Sequence, residues 1–93
     1  MKTERFDSVW DAISDTPAEA QNMKLRSTLM ASIELLIKER KLTQAEAAKL
    51  FGVTQPRVSD LMRGKIDLFS LDSLVNMASH ADLEVSLQVT KAA

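Results

Sequence analysis

The helix-punctuating residues between positions 42 and 65, LTQAEAAKLFGVTQPRVSDLMRGK, constrain the fold more than any other feature of the chain. Thr43 and Thr54 each begin a short helical pattern, because a threonine hydroxyl caps the free N–H groups of a helix start. Gly52 and Gly64 end these patterns, since glycine readily adopts the positive φ of a helix C-terminus. The segment therefore predicts two short helices joined by a tight turn, which is a helix-turn-helix.

Small and branched side chains within this segment support close packing of the two helices. Glu46 lies three residues after Thr43 and completes a capping box. The small side chains of Ala47 and Ala48 are expected to let the second helix cross close to the first at this point. Val53 and Val58 are predicted to fill the angle between the two helices.

The rest of the chain predicts further helices and one strand. Thr16 and Pro17 begin a long helix that runs to about Arg40, and Ser70 begins another that runs to about residue 81. A short helix is expected after Asp7 or Ser8. At the C-terminus, apolar side chains alternate with polar ones, which predicts a half-buried β-strand. The alternating apolar side chains are Leu83, Val85, Leu87 and Val89.

Length and charge narrow the class of protein. With 93 residues we expect one domain, divided into an N-terminal extension (1–15), a helix-turn-helix domain (16–81, with the motif at 43–63) and a dimerisation strand (82–93). The chain lacks cysteine, a membrane-length apolar run and a visible signal peptide, so we expect a cytoplasmic protein. Although the net charge is −1, residues 38–66 hold seven basic and three acidic side chains.

A basic helix-turn-helix suggests binding to double-stranded operator DNA. The start of the first helix, with Thr43 and Gln44, is predicted to contact a phosphate. The start of the second helix is predicted to enter the major groove, where Gln suits adenine, Arg suits guanine and Asp accepts from cytosine. The predicted groove residues are Thr54, Gln55, Pro56, Arg57, Ser59 and Asp60. Phosphate contacts are expected from Arg63 and Lys65.

The segment resembles the XRE (Cro/repressor-type) helix-turn-helix family, whose pattern LTQxxxAxxxGVTQxxxSxxxxGK it fits position by position. The resemblance implies a mainly α, lambda-repressor-like fold with five helices, acting as a symmetric operator-binding dimer. It also implies that Gln44 contacts phosphate and Gln55 reads a base. Pro56 departs from the Gln often found at the next base-reading position in phage repressors, which makes Arg57 the better candidate there.

The longer similarity is to HigA-like antitoxins, which are encoded beside RelE-like toxins. It implies a repressor that regulates its own operon and neutralises a ribonuclease-like toxin. Two alternatives remain open: a stand-alone transcriptional regulator, and a protein-interaction adaptor that has lost DNA binding. For the predicted strand, the preferred partner is the same strand of a second subunit, with pairing to a toxin or within the chain as alternatives.

Enzymatic function is not expected from this sequence. The acidic residues are not paired in apolar surroundings, and there is no glycine-rich phosphate loop or nucleophile–histidine arrangement. His80 has no second ligand at a useful spacing, so we expect no metal site. We therefore predict neither catalytic residues nor a cofactor.

Overall fold

The computed structural model describes residues 16–91, which form a small bundle of short helices around one long helix. In chain order these are α1 (Pro17–Glu39), α2 (Gln44–Phe51), α3 (Gln55–Met62), a 3-10 turn (Ile66–Leu68) and α4 (Leu71–His80). The helix expected after Asp7 or Ser8 lies outside the described residues. No helix within residues 16–91 has the length and apolar character needed to cross a membrane.

Hydroxyl side chains cap the start of every α-helix in the described part of the chain, as the sequence predicts. The Thr16 hydroxyl accepts a hydrogen bond from the Glu19 N–H at 3.0 Å. At α2 the capping box is complete: Thr43 Oγ1 accepts from the Glu46 N–H, and Glu46 Oε1 accepts from the Thr43 N–H at 2.8 Å. Ser70 caps α4 with its own reciprocal bond. These caps satisfy backbone donors that would otherwise lack partners within the helix.

Glycines with positive φ follow both helices of the motif. Gly52 directly follows α2 with φ +70°. Gly64, with φ +71°, lies two residues beyond the last residue of α3, so that helix ends slightly earlier than predicted. The chain turns at Gly64 into the 3-10 segment. Ile66 in this segment and Phe69 directly after it are buried in the core.

One apolar core joins all four helices. Large, almost fully buried side chains come from each part of the fold: Ile33, Phe51, Val58, Leu61, Phe69 and Leu74. Ala47 is completely buried and Ala48 nearly so, in agreement with the prediction that small residues allow α2 and α3 to approach closely. The long helix α1 lies against α4, the 3-10 segment and α3, so it supports the motif from behind.

The predicted five-helix fold with a C-terminal β-strand is wrong for the described residues, which contain four α-helices and no strand. After α4 the Leu83 N–H donates to the Ala78 carbonyl at 3.0 Å, and the following residues have neither helix nor strand structure. An alternating pattern specifies a strand only where a neighbouring strand accepts its backbone hydrogen bonds, and residues 16–91 provide none. Leu83 packs against the core, whereas Leu87 and Val89 are 70% and 83% exposed.

Candidate nucleic-acid interface

The turn between α2 and α3 is short and leaves the starts of both helices at the surface. It consists of Gly52, Val53 and the N-cap Thr54, and the Val53 N–H donates to the Ala48 carbonyl at 3.0 Å. At the start of α2, Thr43 and Gln44 are exposed. Their side chains, and the backbone of the first turn, are therefore accessible to an external ligand.

Helix α3 buries one side and exposes the other. Val58 and Leu61, each 1% exposed, fix the inner side in the core. Thr54, Gln55 and Pro56 are exposed at the opposite side of the first turn. Further residues predicted to contact DNA are Ser59 and Asp60, which are half-buried, and Arg63 and Lys65, which are exposed.

Arg57 differs from the other predicted groove residues because its guanidinium group lies over an aromatic ring. Its guanidinium carbon lies 4.4 Å from the centre of the Phe69 ring, which is a cation–π distance. Arg57 is half-buried, and Phe69 is only 1% exposed. The backbone N–H of Arg57 donates to the Thr54 hydroxyl at 3.3 Å. Both the backbone and the side chain of this arginine therefore have defined partners.

Asp60 pairs with a lysine that follows α3. Its Oδ1 atom lies 3.9 Å from Lys65 Nζ, and the Lys65 N–H donates to the Asp60 carbonyl at 3.1 Å. Such partly exposed pairs contribute little to stability, on the order of 1 kcal/mol or less. The arrangement orients Lys65 next to the end of α3.

An arginine of α1 braces the segment that carries Phe69, and the sequence alone did not reveal it. The Nη1 atom of Arg26 donates to the carbonyls of Phe69 at 3.0 Å and Ile66 at 3.3 Å. Its Nε atom donates to Asn22 Oδ1 at 2.7 Å. Because these backbone partners lie about forty positions further along the chain, no local sequence pattern could indicate the contact.

His80 packs against the turn of the motif. A Cβ atom added to Gly52 would lie 2.8 Å from His80 Cδ2. The Nδ1 atom of His80 donates to the Asn76 carbonyl at 2.8 Å, which holds the ring along α4. Within residues 16–91 there is no cluster of three or more histidine, aspartate or glutamate side chains suited to a metal ion.

The family follows from a comparison with known domains. A family model described as a helix-turn-helix domain matches residues 12–90 of the chain. The chain belongs to this family. This helix-turn-helix domain is also similar to a solved structure named "Putative XRE Family Transcriptional Regulator", with 28% sequence identity and a TM-score of 0.73. The match covers 80% of this chain and 83% of that one, whereas no curated protein matches.

These similarities support a DNA-binding transcriptional regulator. Helix-turn-helix domains of this type are typically non-enzymatic. The individual DNA contacts remain predictions. The first turn of α3 is accessible, and Arg57, one of the predicted contacts, has a defined position over Phe69.

Proposed function

We propose that this helix-turn-helix domain is a sequence-specific transcriptional repressor that inserts the start of α3 into the major groove of operator DNA. The observation that carries this proposal is the exposed edge formed by Thr54, Gln55 and Pro56 next to the oriented Arg57. This edge belongs to residues 38–66, which carry a net charge of +4 in a chain whose total is −1. Local positive charge attracts the DNA backbone whatever the charge of the rest of the chain.

In this proposal the polar side chains divide into two groups. Gln55 and Arg57 read base edges, since amide groups suit adenine and guanidinium groups suit guanine. Gln44 at the start of α2 contacts a phosphate, together with the free N–H groups of that helix. Phosphate contacts position the protein without reading sequence. Arg63 and Lys65 also contact phosphates in this arrangement.

Binding-site selection from a pool of random duplexes tests the proposal. The wild-type chain is expected to enrich one sequence. Arg57→Ala should weaken binding to it by roughly 1–3 kcal/mol and remove discrimination at one base pair. Gln44→Ala should instead weaken binding to all sequences by a similar factor. The matched control is Gln21→Ala, another exposed glutamine, on α1 outside the basic segment, which should change nothing. Failure of the wild-type chain to enrich any sequence would favour a protein-interaction adaptor.

We also propose that the repressor acts as a homodimer. Two copies would present their α3 helices to half-sites about 34 Å apart. Support comes from the exposed apolar side chains after α4, where Val85, Leu87 and Val89 are 40%, 70% and 83% exposed. Replacing all three with serine is expected to give monomers in light scattering. A dimer that persists in this variant would place the subunit contact elsewhere.

The antitoxin role is the more specific part of the proposal. Residues 67–93 carry one basic and four acidic side chains, so this segment suits a basic protein partner such as a RelE-like ribonuclease. If the role is correct, the gene next to this one encodes a small basic protein whose toxicity is suppressed by co-expression of this chain. A neighbouring protein that stays toxic, or the lack of such a gene, would leave the stand-alone repressor.

A further inference from the structure

We propose that Phe69 is a specificity-determining residue of this domain, although it is buried and lies outside α3. The inference rests on the proposed function and deepens it. The Phe69 ring is the platform that holds the Arg57 guanidinium in the orientation required to read one base pair. Phe69 is thus a positioning residue, which acts on DNA only through Arg57.

The first step of the argument is the contact itself. The guanidinium carbon of Arg57 lies 4.4 Å from the centre of the Phe69 ring. A cation–π contact uses the charge of the guanidinium and none of its N–H groups as donors to oxygen, so these groups remain available to other acceptors. Arg57 as a whole is half-buried. The contact with the ring therefore restrains the guanidinium without using up its hydrogen bonds.

The second step is the rigidity of the platform. Phe69 is 1% exposed, and its N–H donates to the Ile66 carbonyl at 3.1 Å. The Phe69 carbonyl in turn accepts from Arg26 at 3.0 Å, so α1 fixes the backbone on which the ring is carried. Arg57 is anchored at its other end, since its N–H donates to the N-cap Thr54. Arg57 and its platform are thus held by two separate parts of the fold.

The third step is energetic. A free arginine loses considerable rotamer freedom when it binds, and fixing the side chain beforehand removes part of that cost. This gain in affinity is expected only in complexes in which Arg57 donates hydrogen bonds to a base. The attraction between other residues and phosphates does not depend on the orientation of Arg57. Loss of the ring should therefore reduce discrimination at the base pair read by Arg57 and leave binding to other positions almost unchanged.

The test compares two buried phenylalanines. Phe69→Leu removes the platform, and Phe51→Leu is the matched control, since Phe51 is also 1% exposed but belongs to the core under α2. Affinities are measured for the duplex enriched by the wild-type chain and for the duplex altered at the base pair that Arg57→Ala no longer distinguishes. Phe69→Leu is expected to lose about three- to tenfold of that discrimination. Phe51→Leu should lower the melting temperature and keep the discrimination.

Two further variants exclude a merely structural effect. In the Arg57→Ala background, adding Phe69→Leu should cause no further loss of discrimination. Phe69→Met, whose unbranched and flexible side chain can adapt to the space left by the ring, serves if Phe69→Leu does not fold. Unchanged or increased discrimination in a folded Phe69 variant would overturn the proposal. An increase would mean that the contact with the ring keeps Arg57 away from the DNA. If the wild-type chain itself enriches no sequence, the proposed function fails, and that outcome is distinct from a failure of Phe69 alone.

A measurement on the wild-type chain is independent of folding defects. The Cδ protons of Arg57 should show the ring-current shift of a stacked side chain in NMR spectra, and the shift should persist when the enriched duplex is added. If DNA abolishes the shift, Arg57 leaves the ring on binding. That result would also overturn the proposal.

Discussion

At the scale of single residues, two glycines with nearly the same positive φ occupy very different surroundings. Gly52 and Gly64 have φ of +70° and +71°. A Cβ atom on Gly52 would lie 2.8 Å from the ring of His80, whereas a Cβ atom on Gly64 would have nothing within 4 Å. Comparing alanine substitutions at the two positions therefore separates the free-energy cost of a positive φ from that of a steric clash.

We predict that Gly64→Ala lowers the free energy of unfolding by about 1 kcal/mol, because L-residues with a Cβ atom are strained at positive φ. Gly52→Ala should cost about 1 kcal/mol more, since His80 must move and lose its packing on the turn. In a His80→Ala background, the cost of Gly52→Ala should fall to that of Gly64→Ala. Urea denaturation measures all four variants; equal costs for both glycines in the wild-type background would show that His80 yields freely.

At the scale of elements, the short helices of the motif depend on their caps. Helices of eight residues are marginal alone, so the order of α3 comes from its packing and from the hydrogen bond between Thr54 and the Arg57 N–H. The same bond sets the start of the helix that we place in the major groove. A cap at this position therefore stabilises the helix that we propose to contact DNA.

We predict that Thr54→Ala reduces the free energy of unfolding by about 1 kcal/mol through loss of this cap. Thr28→Ala is the control, because Thr28 is also exposed and its hydroxyl donates to the Lys24 carbonyl within α1, where no cap is involved. That control should cost less than about 0.5 kcal/mol. Equal losses in chemical denaturation would mean that the N-terminal cap contributes nothing specific to α3.

The elements were predictable from sequence where local chemistry determines them. Thr43, Gly52 and Ser70 mark helix ends through short-range hydrogen bonds and backbone preferences, and the structure agrees at each position. The predicted strand was wrong because β-pairing depends on a partner that alternation alone cannot supply. Likewise, Arg57 was identified as a candidate from its place in the motif. Its contact with Phe69 and the brace from Arg26 arise only when distant parts of the chain come together.

At the scale of the whole molecule, charge is divided along the chain. Residues 38–66 carry +4, whereas residues 1–37 carry −2 and residues 67–93 carry −3. Acidic side chains repel nucleic acid, so contact of these two segments with DNA is disfavoured. The chain therefore combines a weakly acidic total with a locally basic segment that includes the motif.

We predict that DNA affinity falls steeply with salt although the net charge is −1, because each phosphate neutralised releases a counterion. Arg63→Ala should reduce the slope of log affinity against log salt by about 1. Lys24→Ala on α1, outside the basic segment, is the control and should leave the slope unchanged. Fluorescence anisotropy with a labelled duplex measures both slopes, and an unchanged slope for Arg63→Ala would remove it from the phosphate contacts.

The central claim is that the start of α3 meets the DNA, and NMR titration of the ¹⁵N-labelled chain with the selected duplex tests it most directly. The account predicts that the amide signals that shift belong mainly to residues 43–65, with the largest changes at Gln55 and Arg57. Shifts confined to α4 and residues 82–91, with the signals of α3 unmoved, would contradict it.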